Sequence, residues 1–273
     1  MASEGKTYLG KCVMNVNLVG FDVNLGKNKP RTLIDDAASC PFCDVAGLTN
    51  IIDRDGAIIL LRNKYNVLKD AEQFVLIEND VCKSDMPDYT REHMRRLIAF
   101  GLKHWQRLLA SRKYEEVLFF KNYGPLSGGT VRHPHMQLVG FPHIKRNLLF
   151  DEDEFCGIPV GKKDGVALNV ATCPRIGFGE LNIVPEKKFS VATLADFIQI
   201  CTDYLMKHFS AFCTSYNIFF YDKAGCGEEF LVKILPRFAT SPLFVGYNIR
   251  FLPNNLEIVA NEMREYYDDV LGG

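Results

Sequence analysis

Two halves of this chain repeat one order of elements, and that duplication limits the fold more than any single motif. In the first half, the apolar runs at 57–61 and 74–77 are short enough for strands, and Pro87 and Asp88 mark a helix start. Residues 89–113 follow as a helix, with Met94, Ile98, Leu102, Trp105 and Leu109 at helical spacing. Strands at 117–120 and 133–140 flank a glycine-rich turn. The same order returns as strands at 166–170 and 181–184, a helix at 193–212, a strand at 217–221, a turn through Gly225 and Gly227, and a strand at 229–235. Leu118-Phe119-Phe120-Lys121-Asn122-Tyr123-Gly124 is echoed by Ile218-Phe219-Phe220-Tyr221-Asp222-Lys223-Ala224-Gly225. Aligning the turns sets Leu231 over His135 and Lys233 over Gln137. The expected fold is α+β, built from two tandem repeats, each an antiparallel sheet with a long helix packed on it. Expected bounds are 1–150 and 151–273, with a last helix over 255–267. Within residues 1–39 the segment 26–30 reads as loop, and Asp151-Glu152-Asp153-Glu154 reads as a solvated acidic linker at the join.

Composition narrows the class. With 47% hydrophobic and 24% charged residues the chain is an ordinary globular protein, and 273 residues suffice for a substantial core. A net charge of −1 gives no electrostatic reason to expect nucleic acid or an anionic membrane as partner. No apolar run approaches the roughly 20 residues of a membrane-spanning helix, and residues 1–11 are polar, without a secretory hydrophobic region. Nine cysteines, two of them in Cys40-Pro41-Phe42-Cys43, suggest free thiols and a metal rather than a disulfide framework. The expected compartment is the cytoplasm.

The densest chemistry lies in Ser127-Gly128-Gly129-Thr130-Val131-Arg132-His133-Pro134-His135-Met136-Gln137. Alternate residues of a strand share a face, so His133, His135 and Gln137 should line one surface, with Met136 and Leu138 turned to the core. Polar side chains on one strand face are costly to bury without partners. The glycine turn upstream offers backbone N–H groups to phosphate oxygens. A histidine acting on a phosphate is the natural reading; a lone strand histidine is otherwise a hydrogen-bonded structural residue. His93 and His104, on the first long helix, read as surface or packing residues.

These motifs resemble those of the galactose-1-phosphate uridylyltransferase family, whose relatives include ADP-glucose phosphorylase, within the histidine-triad superfamily. The resemblance spans about 20–270 and is sharper in the first half. It makes the two repeats histidine-triad-like. It implies that His135 is the nucleophile and that Gln137 donates to the phosphoryl group. Asn122, Gly128, Gly129 and Thr130 would surround the phosphate, Arg31 and Lys29 would reach it from an N-terminal basic stretch, and Asn63 would contact the base. Asn63 reads equally as a polar strand end. The resemblance also implies one structural zinc ion, held by Cys40, Cys43, Cys82 and His133, with His143 the rival fourth ligand. A Cys3His set suits closed tetrahedral zinc; the Cys-x-x-Cys alone could equally be redox-active or simply reduced.

The implied activity is nucleotidyl transfer between a nucleotide sugar and a sugar 1-phosphate, through a covalent nucleotidyl-histidine with ping-pong kinetics. The other ring nitrogen of His135 would need an acceptor, a main-chain carbonyl in the family. Some relatives carry a second metal at a His-x-His near the end of the second repeat; the corresponding strand here, 230–237, has no histidine, so no second metal is expected. Lys233 and Arg237 could contact phosphate or be exposed cations on a sheet edge. Phe244-Val245-Gly246-Tyr247 resembles a loop with which the partner subunit of a homodimer holds the hexose phosphate, though Asn248 stands where the uridylyltransferase has an acid. Two other functions stay open: a dinucleoside polyphosphate or nucleotide-sugar phosphorylase or hydrolase, and a non-catalytic, zinc-stabilised nucleotide-binding protein.

Overall fold

The computed structural model describes residues 16–33, 35 and 38–271. A single sheet of ten strands joins both halves: β1 (Ile51–Asp55), β2 (Ile58–Arg62), β3 (Glu72–Ile77), β4 (Glu116–Tyr123), β5 (His135–Phe141), β6 (Gly157–Lys163), β7 (Val166–Ala171), β8 (Leu181–Pro185), β9 (Tyr216–Asp222) and β10 (Phe230–Pro236). Their spatial order, β1-β2-β3-β5-β4-β9-β10-β8-β7-β6, reads alike from either edge, with β4 and β9 antiparallel at the centre. The two expected sheets are therefore halves of one, and neither half leaves an open edge at the seam.

Among the helices, α1 (Val23–Lys27) is one turn, α2 (Arg91–Ala110) and α3 (Val191–Tyr204) are the long helices of the two halves, and α4 (Pro242–Tyr247) and α5 (Leu256–Leu271) follow β10. Thr90 caps α2, its hydroxyl accepting from His93 N at 3.2 Å. The expected stripe of Met94, Ile98, Leu102, Trp105 and Leu109 is wholly buried. Trp105 donates Nε1 to the Val117 carbonyl at 2.6 Å, anchoring α2 to β4. Phe119 and Phe220 stack at 4.4 Å across the seam beneath it. Met136, Leu138, Val232 and Ile234 complete this helix-side core. No described helix is long and apolar enough to cross a membrane.

Several expectations are corrected. β1 and β6 went unread because edge strands stay largely exposed and show no apolar run. Part of the loop expected at 26–30 is the end of α1, which Asp22 caps by accepting from Leu25 N at 2.9 Å. Pro87 and Asp88 form a separate single turn before α2. The helix expected to reach 212 leaves α geometry after Tyr204 and widens into a π turn, Leu205–Phe209. Glu154 is not a solvated linker residue but a buried carboxylate held by Arg175 and Arg250, each at 2.9 Å. The motif echo is also one residue out of step. Phe119 pairs with Phe220 and Phe120 with Phe219, so equating Leu118 with Ile218 would swap sheet faces. The turn-based match, Leu231 over His135, preserves them.

Candidate active site and metal centre

β5 starts at His135, not at His133, because Pro134 has no N–H for the ladder; its carbonyl instead accepts from Glu78 N at 3.1 Å. From there alternation holds. Met136 and Leu138 enter the core, while His135 and Gln137 face away from the helices, beside the small apolar group of Ile59, Leu61, Val75 and Ile77. His133 is fully buried just before the strand, and both imidazoles meet the edge of one ring, Phe42, at centroid distances of 5.9 and 5.4 Å. Phe42 lies inside the Cys-x-x-Cys, so that short motif also roofs the histidines.

The two rings divide their nitrogens differently. His133 directs Nε2 to the Asn79 carbonyl at 2.8 Å and Nδ1 to the Sγ atoms of Cys40 and Cys43, 3.6 Å from each. Cys82 completes the group, and all four ligand atoms lie within 4.8 Å of one another. Tetrahedral zinc, with bonds of about 2.3 Å to sulfur and about 2.05 Å to nitrogen, separates S and N ligands by about 3.6 Å. The donor set therefore fits one zinc ion. Burial and the crowding of Cys40 and Cys82 push the Cys43 thiol up to about 12, as expected of thiols gathered for a cation. His143 is exposed and does not belong to this group.

His135 directs Nδ1 to the His133 carbonyl at 2.8 Å, so Nδ1 carries the proton and Nε2 keeps its lone pair. Burial, reinforced by the Lys121 charge, lowers its pKa below the usual histidine value, with partial opposition from the carbonyl bond and Glu78. The ring is thus neutral and nucleophilic at neutral pH. It keeps 8% of its surface exposed, where His133 keeps none.

Beside this row lies a cleft of about 210 Å³, floored by Leu61 and Val75 and lined by Phe42, Asn63, Thr130 and Val131. Val75 is the cross-strand neighbour of Gln137, whose carboxamide makes no hydrogen bond among the described residues. Three cations, Lys29, Arg62 and Lys64, also line the cleft, with no carboxylate among its lining residues. Burial lowers the pKa of Lys29 and no acid opposes that shift. Asn63 accepts from Tyr65 N at 2.9 Å, leaving its Nδ2 for the cleft. Arg31 is exposed and is not among the lining residues. The segment around it nevertheless shapes the site: Thr32 Oγ1 accepts from Arg132 N at 2.9 Å, and Leu33 N donates to Thr130 O at 3.1 Å.

Beyond β5, the register puts Asn122 of β4 across from His135 and Asn217 of β9 across from Asn122. Asn217 Nδ2 donates to Asn122 Oδ1 at 2.7 Å and to Ser127 O at 3.0 Å, fixing the start of the glycine loop. Gly128 takes φ +88° with open space around it. Asn217 was not singled out in the sequence, and no motif marks it; only the β4–β9 pairing brings it here.

Behind the sheet, Lys121 is fully buried, 2.6 Å from Glu78 and 3.3 Å from Asp85. Tyr89 and Tyr216 donate to these carboxylates at 2.8 and 2.7 Å. In the second half Lys233 is likewise fully buried, not an exposed edge cation. Its Nζ donates to Glu154 O and Asn182 Oδ1, both at 2.7 Å, and lies 3.2 Å from Glu180. Those partners use all three ammonium hydrogens, so Lys233 is a structural cation.

Two adjoining family models match the chain, the N-terminal domain of DUF4931, a domain of unknown function, over 21–144 and its C-terminal domain over 147–268. The chain belongs to the DUF4931 family. A DUF4931 protein of Bacillus cereus is 40% identical, with a TM-score of 0.71 over 80% of this chain and 99% of that one. More distant structures share the fold. An ADP-glucose phosphorylase from Arabidopsis thaliana is 15% identical (TM-score 0.69, 91% of this chain, 99% of that one). A GalT-like protein from the same plant is 17% identical (TM-score 0.68, 83% and 91%). No curated protein sequence matches the chain.

Proposed function

We propose that this DUF4931 chain is a nucleotidyltransferase that passes a nucleoside monophosphate from a nucleotide sugar to a sugar 1-phosphate through His135. The observation that carries this reading is the free Nε2 of a buried, neutral imidazole whose Nδ1 proton is held by the His133 carbonyl at 2.8 Å. The cation-lined cleft beside it suits a phosphate-bearing substrate. The likeness in fold to an ADP-glucose phosphorylase is compatible with such chemistry.

The Nε2 lone pair forms the N–P bond to the α-phosphorus, and the P–O bond to the departing sugar phosphate breaks, its electron pair leaving on that oxygen. In the second half-reaction an oxygen of the acceptor phosphate attacks the same phosphorus, and the N–P electron pair returns to Nε2. Gln137 and the N–H groups of Gly128 and Thr130 stabilise the phosphoryl oxygens, one such donor being worth about 3 kcal/mol in the transition state, while Gly129 N donates to Ser127 Oγ at 3.3 Å. Asn63 faces the nucleoside. Cys40, Cys43, Cys82 and His133 would hold zinc, which supplies folding free energy and ties the Cys-x-x-Cys segment to the nucleophile strand.

A homodimer is part of the proposal. Val245, Tyr247, Ile249 and Leu252, within and just after α4, are at least half exposed, which suits an apolar contact with a second copy. Asn248 caps α4 with φ 55°, a left-handed conformation that asparagine tolerates.

Incubation with UDP-glucose or ADP-glucose, followed by intact-mass and peptide mass spectrometry, tests the reading. A nucleotidyl adduct on His135 is expected, discharged by glucose 1-phosphate. Discharge by inorganic phosphate or water instead would make the enzyme a phosphorylase or hydrolase. Turnover that survives His135→Gly in a folded variant overturns the covalent route.

A further inference from the structure

The catalytic face continues past His135 into the second half, and a cation waits there without an acid. Arg237 follows β10, its backbone N donating to Ser215 O at 2.8 Å. By strand alternation it shares the face of Asn217, Asn122 and His135. Its Nη1 donates to Asn217 Oδ1 at 2.5 Å. Asn217 passes the polarity on through Nδ2 to Asn122 Oδ1, and Nδ2 of Asn122 makes no hydrogen bond among the described residues. Arg237 Nε and Nη2 bond to nothing among the described residues, and no described carboxylate pairs with the guanidinium. Burial alone lowers its pKa, with no charged neighbour contributing.

Two other partly buried arginines are matched by acids, Arg146 by Glu116 and Arg175 by Glu154, and Arg264 places its fork on Pro159 O and Asn261 Oδ1. An unmatched, half-buried guanidinium is costly unless an anion completes it. Two strand spacings of about 4.8 Å, roughly 10 Å in all, separate the backbone of His135 from that of Asn217, whose side chain holds the guanidinium. Between them stands the Ser127–Thr130 loop, whose Ser127 carbonyl Asn217 already holds. An anion bound at Arg237 is therefore distinct from the phosphoryl group at His135.

We infer that Arg237 and the Asn217–Asn122 pair form a second anion subsite at the seam of the two halves, which takes the phosphate that is not transferred. This rests on the proposed transferase reading and extends it. The ligand class is a phosphate monoester, with inorganic phosphate as the smaller alternative. In this arrangement the degenerate half contributes a binding residue to the chemistry of the first.

Isothermal titration of the full chain with glucose 1-phosphate, and separately with inorganic phosphate, tests it against Arg237→Gln and Arg237→Lys. Wild type should bind glucose 1-phosphate, and Arg237→Gln should weaken it by about 10- to 100-fold, the scale of a lost charge-assisted contact. Arg237→Lys should recover part of the loss, because the charge stays and the fork geometry goes. Binding of uridine or adenosine, which carry no phosphate, should be unchanged. Tighter binding of inorganic phosphate than of the monoester, with the same Arg237 dependence, would keep the subsite and assign it to phosphate. Equal affinity of Arg237→Gln and wild type, or no binding of either compound by wild type, overturns the inference. The outcome is separable from the covalent route, which is read by the His135 adduct alone.

Discussion

His135 Nδ1 lies 2.8 Å from the carbonyl oxygen of His133, the residue whose ring faces the three thiols. One residue thus offers its side chain to the Cys3His donor cluster and its main chain to the proposed nucleophile. The tautomer of His135 is coupled to the integrity of the cluster by a single backbone carbonyl.

Metal removal should therefore affect chemistry as well as stability. Chelation, or Cys82→Ser, should release about one zinc per chain and lower the melting temperature sharply, structural zinc contributing on the order of 10 kcal/mol. Adduct formation at His135 should fall in chelator at temperatures where circular dichroism still reports folded protein, and one equivalent of zinc should restore it. A chain that holds no zinc, measured by elemental analysis of the purified protein, contradicts this.

The rate of His135 nucleotidylation should stay level as pH falls through 6.5 and decline only below it. The folded imidazole titrates below that ordinary value because burial disfavours its charged form. The same shift makes the unfolded chain bind the proton more readily, so stability falls as pH drops through the unfolded value near 6.5. His133 and His104, also lowered by burial, add in the same direction. Single-turnover adduct rates across pH 5–8 check the first statement, and urea midpoints the second.

Replacing Lys121 by Met should cost about 3–5 kcal/mol, since it leaves Glu78 and Asp85 as buried carboxylates without their cation. Burial already raises Asp85 to about 6, and Lys121 opposes that rise. Without the lysine, the folded carboxyl titrates higher still, while the unfolded one stays near 3.8. A folded state that binds the proton more tightly gains stability as pH falls. The deficit of Lys121→Met relative to wild type should accordingly be full at pH 8 and smaller at pH 5.5, a comparison made by urea unfolding. An equal deficit at both pH values would show that the acids do not carry the cost.

Two glycines of the active-site loop should respond unequally to alanine. Both have positive φ, +80° at Gly124 and +88° at Gly128, and that strain alone costs about 1–3 kcal/mol. A Cβ on Gly128 would meet nothing within 4 Å, whereas one on Gly124 would collide with the backbone oxygen of Thr214, which cannot rotate away. Gly124→Ala should be the more destabilising in thermal melts and should displace the loop from Asn217, reducing adduct formation. The reverse order would mean that the loop is not fixed by this close approach.

Much of the fold was legible because its two signals are local. The period-3.6 stripe of α2 and the alternation of Met136 and Leu138 against His135 and Gln137 depend only on neighbours along the chain. Edge strands β1 and β6 escaped because exposure removes the apolar pattern that reveals strands. Lys121, Lys233 and Glu154 were misread or passed over for a related reason: a charged residue looks solvated until its buried partner is known, and those partners lie 21 to 96 residues away. Arg31 and Lys29 were equivalent along the chain, and only the structure separates them: Arg31 is exposed and outside the cleft lining, whereas Lys29 lines it.

The repeated order of elements and the face on which His135 and Gln137 lie could be read along the chain, because each follows from the spacing of neighbouring residues; the four donors suited to a metal were implied by the family resemblance. Tertiary contacts set which nitrogen of each histidine is committed, that the two sheets fuse through β4 and β9, and that Asn217 and Arg237 join the face of His135. Those outcomes depend on register and on hydrogen bonds between segments far apart in the chain, where a shift of one residue would turn each side chain to the opposite face.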